Sequence, residues 1–314
     1  MSFDVPIVMM VFNRPDLTRK VFSEIARVKP RTLFVVADGP KPGEDQEKCR
    51  ATRAVFDDID WDCEFLPDFS DTNMTGPYRC SSGLDKVFNT VEEAIVLEDD
   101  CLPSPSFLAY CEDLLSRYRN DNRVMHIGGD NFQFGVRRTE YSYYFSKYSH
   151  TWGWATWARA WRHFDLEMRN WPRFRDEGHF ASVCPDPDER RYWAGIFDRA
   201  VNDLEYHWDY AWQFACWSNF GLSATPEKNL VSNIGFRNDG THTKAPDHRQ
   251  AAIPVNEIEQ IEHPRFVIPN HEADLATFQN IFSPNRARRK RGAAAVVEAV
   301  WSRMKAYLRR TRKS

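Results

Sequence analysis

The sequence predicts an α/β fold with a mostly parallel central sheet, flanking helices and a basic helical segment at its C-terminus. Three observations carry this. Strand and helix signals alternate through the first hundred residues. Three apolar runs end abruptly in polar residues: Asn13-Arg14, Asp38 and Glu98-Asp99-Asp100. The composition, 314 residues with 42% hydrophobic and 28% charged, is that of a chain able to bury a sizeable core.

The elements follow in order. Apolar residues 5–12 form a first strand and stop at Asn13-Arg14-Pro15, where Pro15 opens a helix through Leu17, Val21, Phe22 and Ile25. Thr32–Ala37 is a second strand, closed by Asp38-Gly39-Pro40, and Asp62–Pro67 a third. Asp68–Thr75 has loop composition, a helix covers Ser82–Asn89, and Ala94–Leu97 is a short buried strand running into the acidic triplet. After Pro103 and Pro105 a helix runs to about Arg119, and a strand over Arg123–Gly128 leads into Gly129-Asp130-Asn131. Residues 141–171 are rich in Trp and Tyr; helices are expected over 188–202 and 206–219, then loops to 243. Residues 245–285 read as a peripheral wrap, and helical periodicity returns from Gly292 to Arg310. Trp157 and Trp161, four apart, are expected on one helix face.

Charge and cysteine usage exclude several classes. The net charge of −3 rules out a nucleic-acid binder driven by bulk charge. Seven scattered cysteines without a CxxC indicate neither a disulfide framework nor a zinc ribbon. No basic n-region or cleavage site precedes the first strand, and no apolar run approaches a membrane span, so the chain reads as soluble and cytoplasmic. No GxxxxGK[ST] or GxGxxG follows a strand, which argues against P-loop and dinucleotide sites.

The triplet Glu98-Asp99-Asp100 is the strongest chemical signal. Parallel sheets bind ligands at the carboxyl ends of their strands. Three adjacent carboxylates there repel one another unless a cation or donors compensate, and hard oxygen ligands suit Mg²⁺ or Mn²⁺ with positions left for phosphate oxygens. The plain alternative is a solvated acidic turn.

Taken together, Phe12-Asn13-Arg14, Ala37-Asp38-Gly39 and Val96 to Phe107, with its Glu98-Asp99-Asp100-Cys101-Leu102-Pro103, resemble GT-A glycosyltransferases. More narrowly they are similar to bacterial hemolytic protein HlpA-like nucleotide-sugar transferases and to the Golgi enzymes that add N-acetylglucosamine to α-mannosides. Gly129-Asp130-Asn131, Gly153-Trp154, Trp208-Asp209, Pro226-Glu227 and Thr241-His242 extend the likeness, in order, over about residues 5–243. It implies a GT-A type, Rossmann-like fold, with a catalytic domain over 1–285. Residues 1–103 would be its nucleotide-sugar half, 104–243 its acceptor half, 244–285 the wrap, and 286–314 a basic tail.

The resemblance implies roles residue by residue. Arg14 and Asp38 contact the nucleotide, Asp38 accepting from a pyrimidine imide; a turn aspartate before Gly-Pro is the alternative. The triplet corresponds to the DxD-type motif, with Asp100 the direct ligand of Mn²⁺ (or Mg²⁺) and Glu98 and Asp99 nearer the ribose and the metal's waters. Arg79 is a second phosphate contact or a surface arginine. Asp209 is the base of inverting transfer, taking the acceptor hydroxyl's proton, or else a helix-start carboxylate; Glu205, Asp203 and Glu227 are reserves. His242 ligates the metal or reaches a phosphate, with Thr241 beside it on the donor, or is merely exposed. Asp130 and Asn131 are candidates for sugar hydroxyls, and Trp154 for a stacking face.

Residues 286–314 hold 11 basic residues and one acid, leaving −13 for residues 1–285. With Val296, Val297, Val300, Trp301, Met304, Tyr307 and Leu308 on one stripe, this segment is either an interfacial helix on an anionic membrane or a docked or disordered basic tail. The implied partners are a nucleotide-diphosphate sugar, a UDP-sugar first among them, and a glycan or lipid-linked acceptor, in bacterial surface polysaccharide assembly. Two rivals stand. A sugar nucleotidyltransferase shares this kind of fold but lacks its usual Gly-rich loop here, and a non-catalytic carbohydrate-binding protein would suit the aromatic content.

Overall fold

Alternating side chains on three β-rich runs decide the architecture, because both faces of the sheet they form are buried. The computed structural model describes residues 3–237, 249–251 and 253–283. Its main sheet begins with β1 (Ile7–Val11), β2 (Thr32–Ala37), β3 (Glu64–Phe69) and β4 (Glu93–Glu98), and continues through β6 (Val124–Gly128), β7 (Tyr143–Ser146), β8 (Trp154–Trp157) and β9 (Leu222–Pro226). The strand order is β3-β2-β1-β4-β8-β6-β9-β7, with β8 and β7 antiparallel to their neighbours and the other pairings parallel. The α/β class with a mostly parallel sheet is therefore as expected. A separate ribbon pairs β5 (Cys101–Pro103) antiparallel with β10 (Val231–Asn233).

Along β1, Ile7, Met9 and Val11 enter one core while Val8 and Met10 enter the other. The first core takes Val21, Phe22 and Ile25 of α1 (Pro15–Val28) and the apolar face of α4 (Pro105–Tyr118). The second takes Leu84, Val87 and Phe88 of α3 (Gly76–Phe88) and Trp208, Trp212, Ala215 and Cys216 of α9 (Trp208–Ser218). Between β2 and β3 lies α2 (Gln46–Arg53), which the sequence reading missed; its mean character is strongly polar and only Cys49 and Thr52 are buried. The helix placed over Ser82–Asn89 begins at Gly76, since Pro77 sits at its start, where a missing N–H costs nothing.

Trp157 and Trp161 do not share a helix face. Trp157 ends β8 and joins the first core, whereas Trp161 ends the short helix α5 (Ala158–Trp161) and joins the second. Beyond it α6 (Trp171–Asp176), α7 (Phe180–Val183) and α8 (Pro187–Asn202) gather around α9 through Trp171, Phe180, Trp193, Phe197, Phe214 and Trp217. All seven cysteines are free thiols. Among the described residues no helix is long and apolar enough to cross a membrane.

Two compact units divide the chain, Met1–Asn270 and His271–Ser314. In the second, α10 (His271–Thr277) runs into a π-helical turn, Phe278–Phe282. Thr241, His242 and the basic segment 286–314 lie outside the described residues.

Candidate functional site

Register brings the polar strand ends together. Val11 lies opposite Ala37 and Met10 opposite Glu98, so β1, β2 and β4 finish at one level. The ladder continues one step into the loops: Asp38 N–H donates to the Val11 carbonyl and Asp99 N–H to the Met10 carbonyl, both at 3.0 Å. Arg14, Asp38 and the triplet are thus neighbours because of strand pairing.

Glu98 is the last residue of β4, and Asp99-Asp100 form the turn into β5. Pro15 holds Arg14 out of the helix it precedes, with extended φ of −119°. From there the guanidinium reaches both aspartates: Nε donates to Asp99 Oδ2 at 3.2 Å, Nη2 contacts Asp99 Oδ1, and Nη1 lies 2.9 Å from Asp100 Oδ2. Burial opposes the Arg14 charge, but Asp99 and then Asp100 more than offset it and hold the guanidinium protonated. Burial, then repulsion from Asp100 and Asp99, pushes the Glu98 carboxyl well above the usual range; burial also raises Asp99, against the opposing pull of Arg14.

Asp209 stands in the first turn of α9, its Oδ1 3.6 Å from His207 Nδ1. Its charge is felt at Glu98 and also at the Cys80 thiol, which in turn senses Glu98 and Asp38. Asp209, the triplet and Asp38 therefore share one electrostatic neighbourhood, with Cys80 of α3 among them.

Three partners of Asp100 were not foreseen. Asn233 Nδ2 donates to its Oδ1 at 3.4 Å, the Cys101 thiol contacts the same oxygen at 3.6 Å, and Ile234 N–H donates to its carbonyl at 2.8 Å. Gly235 closes over the side chain so tightly that a Cβ there would lie 2.2 Å from Oδ2. A polar-glycine stretch, Asn233-Ile234-Gly235, is the one trace of this in the sequence; its sequence distance from Asp100 hides the pairing.

Other expected site residues are engaged within the protein. Asp38 accepts from Gly39 N–H at 2.8 Å, Met74 N–H at 2.9 Å and Asn73 Nδ2 at 3.0 Å, which makes it the anchor of the 72–75 loop. Arg79 is buried: Nε donates to the Ala37 carbonyl at 3.1 Å and Nη2 pairs with Asp68 at 2.8 Å, so it ties the ends of β2 and β3 together, and the expectation of a phosphate contact is replaced by that tie. Asn131 spends its amide on the Pro226 and Glu227 carbonyls and its Oδ1 on Gln133 N–H. Asp130 Oδ2 accepts from Trp152 N–H at 3.3 Å, and burial pushes this carboxyl well above the ordinary range. Trp154 is fully buried between β8 and α9, so both its faces pack on protein, not on a sugar. Glu227 accepts from Arg138 N–H.

His126 is fully buried and stacks on Trp154. Trp212 Nε1 donates to His126 Nδ1 at 3.1 Å, which leaves Nε2 as the protonated nitrogen, 2.8 Å from the His150 carbonyl. Burial pushes His126 down to about 3. Two clefts, of about 350 and 460 Å³, share Arg162, His163 and Asn219; neither reaches the triplet.

No family model matches the chain, and no curated protein matches it in sequence. Among solved structures it is similar to S. aureus TarS 1-349, with TM-score 0.41 and 10% identity over 73% of this chain and 59% of that one. It is also similar to the UTP-bound UGPase from Acinetobacter baumannii, with TM-score 0.38 and 8% identity over 73% and 88%. A third is the inositol-1-phosphate CTP transferase from T. maritima, with TM-score 0.36 and 7% identity over 72% and 86%. The match thus spans less than two thirds of the TarS chain. At these TM-scores the likenesses identify neither reaction nor substrate.

Proposed function

We propose that the protein is a metal-dependent, inverting glycosyltransferase that moves a sugar from a nucleoside diphosphate to a hydroxyl of a glycan or lipid-linked acceptor. N-acetylglucosamine or a related hexose, carried on UDP, is the sugar the sequence resemblance favours. The observation that carries the reading is the packing that brings the start of α9 towards the carboxyl end of β4: Trp208, next to Asp209, lies against Trp154, which is paired with Val96 two residues before Glu98.

The donor set suits a hard divalent ion, Mn²⁺ or Mg²⁺. Among the described residues no three His, Cys, Asp or Glu side chains form a complete metal cage. Mg²⁺ in particular is commonly held through one or two carboxylates plus substrate phosphates, and Asp100 would supply that carboxylate. Bound there, the ion would offset negative charge on the departing diphosphate. Arg14, a planar fork that fits phosphate as well as carboxylate, adds positive charge on the same side.

Asp209 acts on the acceptor. Its side chain is about one-third exposed, so a hydroxyl can reach it while its backbone stays fixed in α9. An ordinary carboxylate is a weak base for a hydroxyl, so proton transfer is late, as the new glycosidic bond forms on the face opposite the leaving group. Asp209 accepts the proton; the sugar's anomeric carbon exchanges its bond to diphosphate for one to the acceptor oxygen, with inversion.

The test is calorimetric titration of UDP, dTDP, GDP and CDP, with Mn²⁺ and then with chelator, followed by a sugar-transfer screen with the nucleotide that binds. Metal-dependent binding of one nucleotide and transfer from its sugar derivative are expected. Binding by none overturns the reading in favour of a non-catalytic carbohydrate-binding protein. Release of pyrophosphate from a nucleoside triphosphate and a sugar phosphate would replace it with nucleotidyl transfer. The narrower likeness to HlpA-like and Golgi enzymes, and peripheral membrane placement through residues 286–314, are parts of the proposal that rest on the sequence fragments.

A further inference from the structure

A single guanidinium neutralises two consecutive carboxylates at this site. Arg14 grips Asp99 through its Nε–Nη2 edge and Asp100 through Nη1, at 2.9 Å from Oδ2. The side chains of Asp99 and Asp100 are only 3% and 12% exposed, and that of Arg14 22%. Both oxygens of Asp100 are therefore engaged from within the chain: Oδ2 by Arg14 under the Gly235 backbone, Oδ1 by Asn233 and Cys101.

Backbone and side chain of Arg14 differ in freedom. Its carbonyl accepts from Thr18 N–H at 2.9 Å and Thr18 Oγ1 at 2.8 Å, and Pro15 follows it, so the main chain is pinned to the start of α1. Only side-chain torsions remain to move the guanidinium. The same first turn carries Asp16, which pairs with Arg237 from the loop that closes over Asp100. Arg14 and the 233–237 loop are thus both strapped to one helix start, and both reach Asp100.

We propose that Arg14 is the site's internal counter-cation, which competes with a divalent ion for Asp100 and gives way when a nucleoside diphosphate arrives. The inference rests on the proposed reading of the site as a metal-assisted nucleotide site and extends it to the order of binding. Two cations on one carboxylate oxygen repel each other, so the ion and the Nη1 edge exclude one another at Oδ2. A diphosphate offers the guanidinium an equivalent fork of oxygens. Rotation of the outer torsions then transfers Nη1 from Asp100 to phosphate while the Nε–Nη2 edge stays on Asp99. The consequence is strong coupling: nucleotide and metal bind together, and free metal binds poorly. In this scheme Arg14 acts on the metal through Asp100 and on the nucleotide through its phosphate.

The experiment measures Mn²⁺ affinity of the full chain by electron paramagnetic resonance of free Mn²⁺, without nucleotide and with each of UDP, dTDP, GDP and CDP. The wild type is compared with Arg14→Met and with Arg14→Gln, which keeps donors for Asp99 and serves if the first variant does not fold; melting curves check both. Without nucleotide, either variant is expected to bind Mn²⁺ at least tenfold more tightly than wild type. One nucleotide should tighten Mn²⁺ at least tenfold in wild type and much less in the variants. Equal nucleotide-free affinity in wild type and a folded variant overturns the counter-cation role, and leaves the site reading standing if a nucleotide still tightens Mn²⁺ in wild type. If no nucleotide does so, the site reading itself falls, and with it the transfer of Arg14 to phosphate. A purely structural Arg14 would lower the melting temperature without tightening Mn²⁺.

Discussion

The indoles of Trp154 and Trp208 lie 5.9 Å apart at an interplanar angle of 33°, and this contact links the strand beside the acidic triplet to the residue that precedes Asp209. Trp154 is opposite Val96 in the β4–β8 register, two residues before Glu98. Trp208 opens α9. Trp161 and Trp212 complete the cluster, at 6.2 and 5.6 Å from Trp154. Truncating a buried aromatic costs about 3–5 kcal/mol, so Trp154→Ala is expected to lose about that much stability in urea unfolding. Trp208→Phe, which keeps a ring, should cost less than 2 kcal/mol by the usual scale of shape changes, yet lower transfer by shifting Asp209. Unchanged stability in Trp154→Ala would show that the cluster does not hold α9.

Asp209→Asn removes a base and keeps shape. Transfer is expected to fall by about 10²–10⁴-fold, the usual contribution of a positioned base, while nucleotide affinity with Mn²⁺ changes little. Stability should fall by less than about 1 kcal/mol, the usual scale for a part-exposed first-turn carboxylate that gives up its helix-dipole interaction and a 3.6 Å contact with His207. Full activity in this variant would move the base elsewhere, with Glu205 and Asp203 next in line.

Arg79 separates an internal tie from a phosphate contact. Its guanidinium bridges the Ala37 carbonyl and Asp68 while buried. Arg79→Gln should destabilise by about 1–3 kcal/mol, through the loss of buried donors to the Ala37 and Asp68 carbonyls, while the Asp68 carboxylate keeps Lys86 Nζ at 2.7 Å. Nucleotide affinity, measured below the melting temperature, should stay within about threefold. A large affinity loss with unchanged stability would restore the phosphate role.

His126 makes stability sensitive to acid. Its folded pKa is pushed from 6.5 down to about 3, so between these values the unfolded chain binds the extra proton. The contribution is complete above about pH 6.5 and is lost as pH falls toward 3, at about 1.4 kcal/mol per pH unit. Buried His150 is also lowered to about 3 and Glu98 is raised to about 8 with the opposite sign, so in urea unfolding from pH 7 to 4.5 the wild type should lose about 1.4 kcal/mol per pH unit more than His126→Gln, in which those two groups are unchanged. A variant with the wild-type slope would assign the acid sensitivity to other groups.

Much of residues 1–103 was legible because the signals there are local. A β-rich run bounded by Asn-Arg-Pro or Asp-Gly-Pro needs no distant partner to be read as a strand, and the triplet is visible as three adjacent letters. The failures are equally physical. Arg79, Asn131 and Trp154 look like ligand-binding residue types, but burial decides their use, and burial is set by neighbours 11 to 96 positions away: Ala37 and Asp68 for Arg79, Pro226 and Glu227 for Asn131, His126 and Trp212 for Trp154. Nothing in the spacing of Trp157 and Trp161 distinguishes a strand end from a helix face, and the sheet divides them between two cores.

By itself the amino-acid sequence determined the α/β class, the polar residues at the strand ends, and the carboxylate-rich chemistry after β4, since each depends on residues contiguous in the chain. Tertiary structure alone decided which of those residues meet. Parallel register set Arg14, Asp38 and Asp99-Asp100 side by side, the packing of Trp208 on Trp154 turned the start of α9 towards β4, and pairing of β10 with β5 laid Gly235 on Asp100. Contacts between segments far apart in sequence have loop-closure and packing free energies that no local window contains.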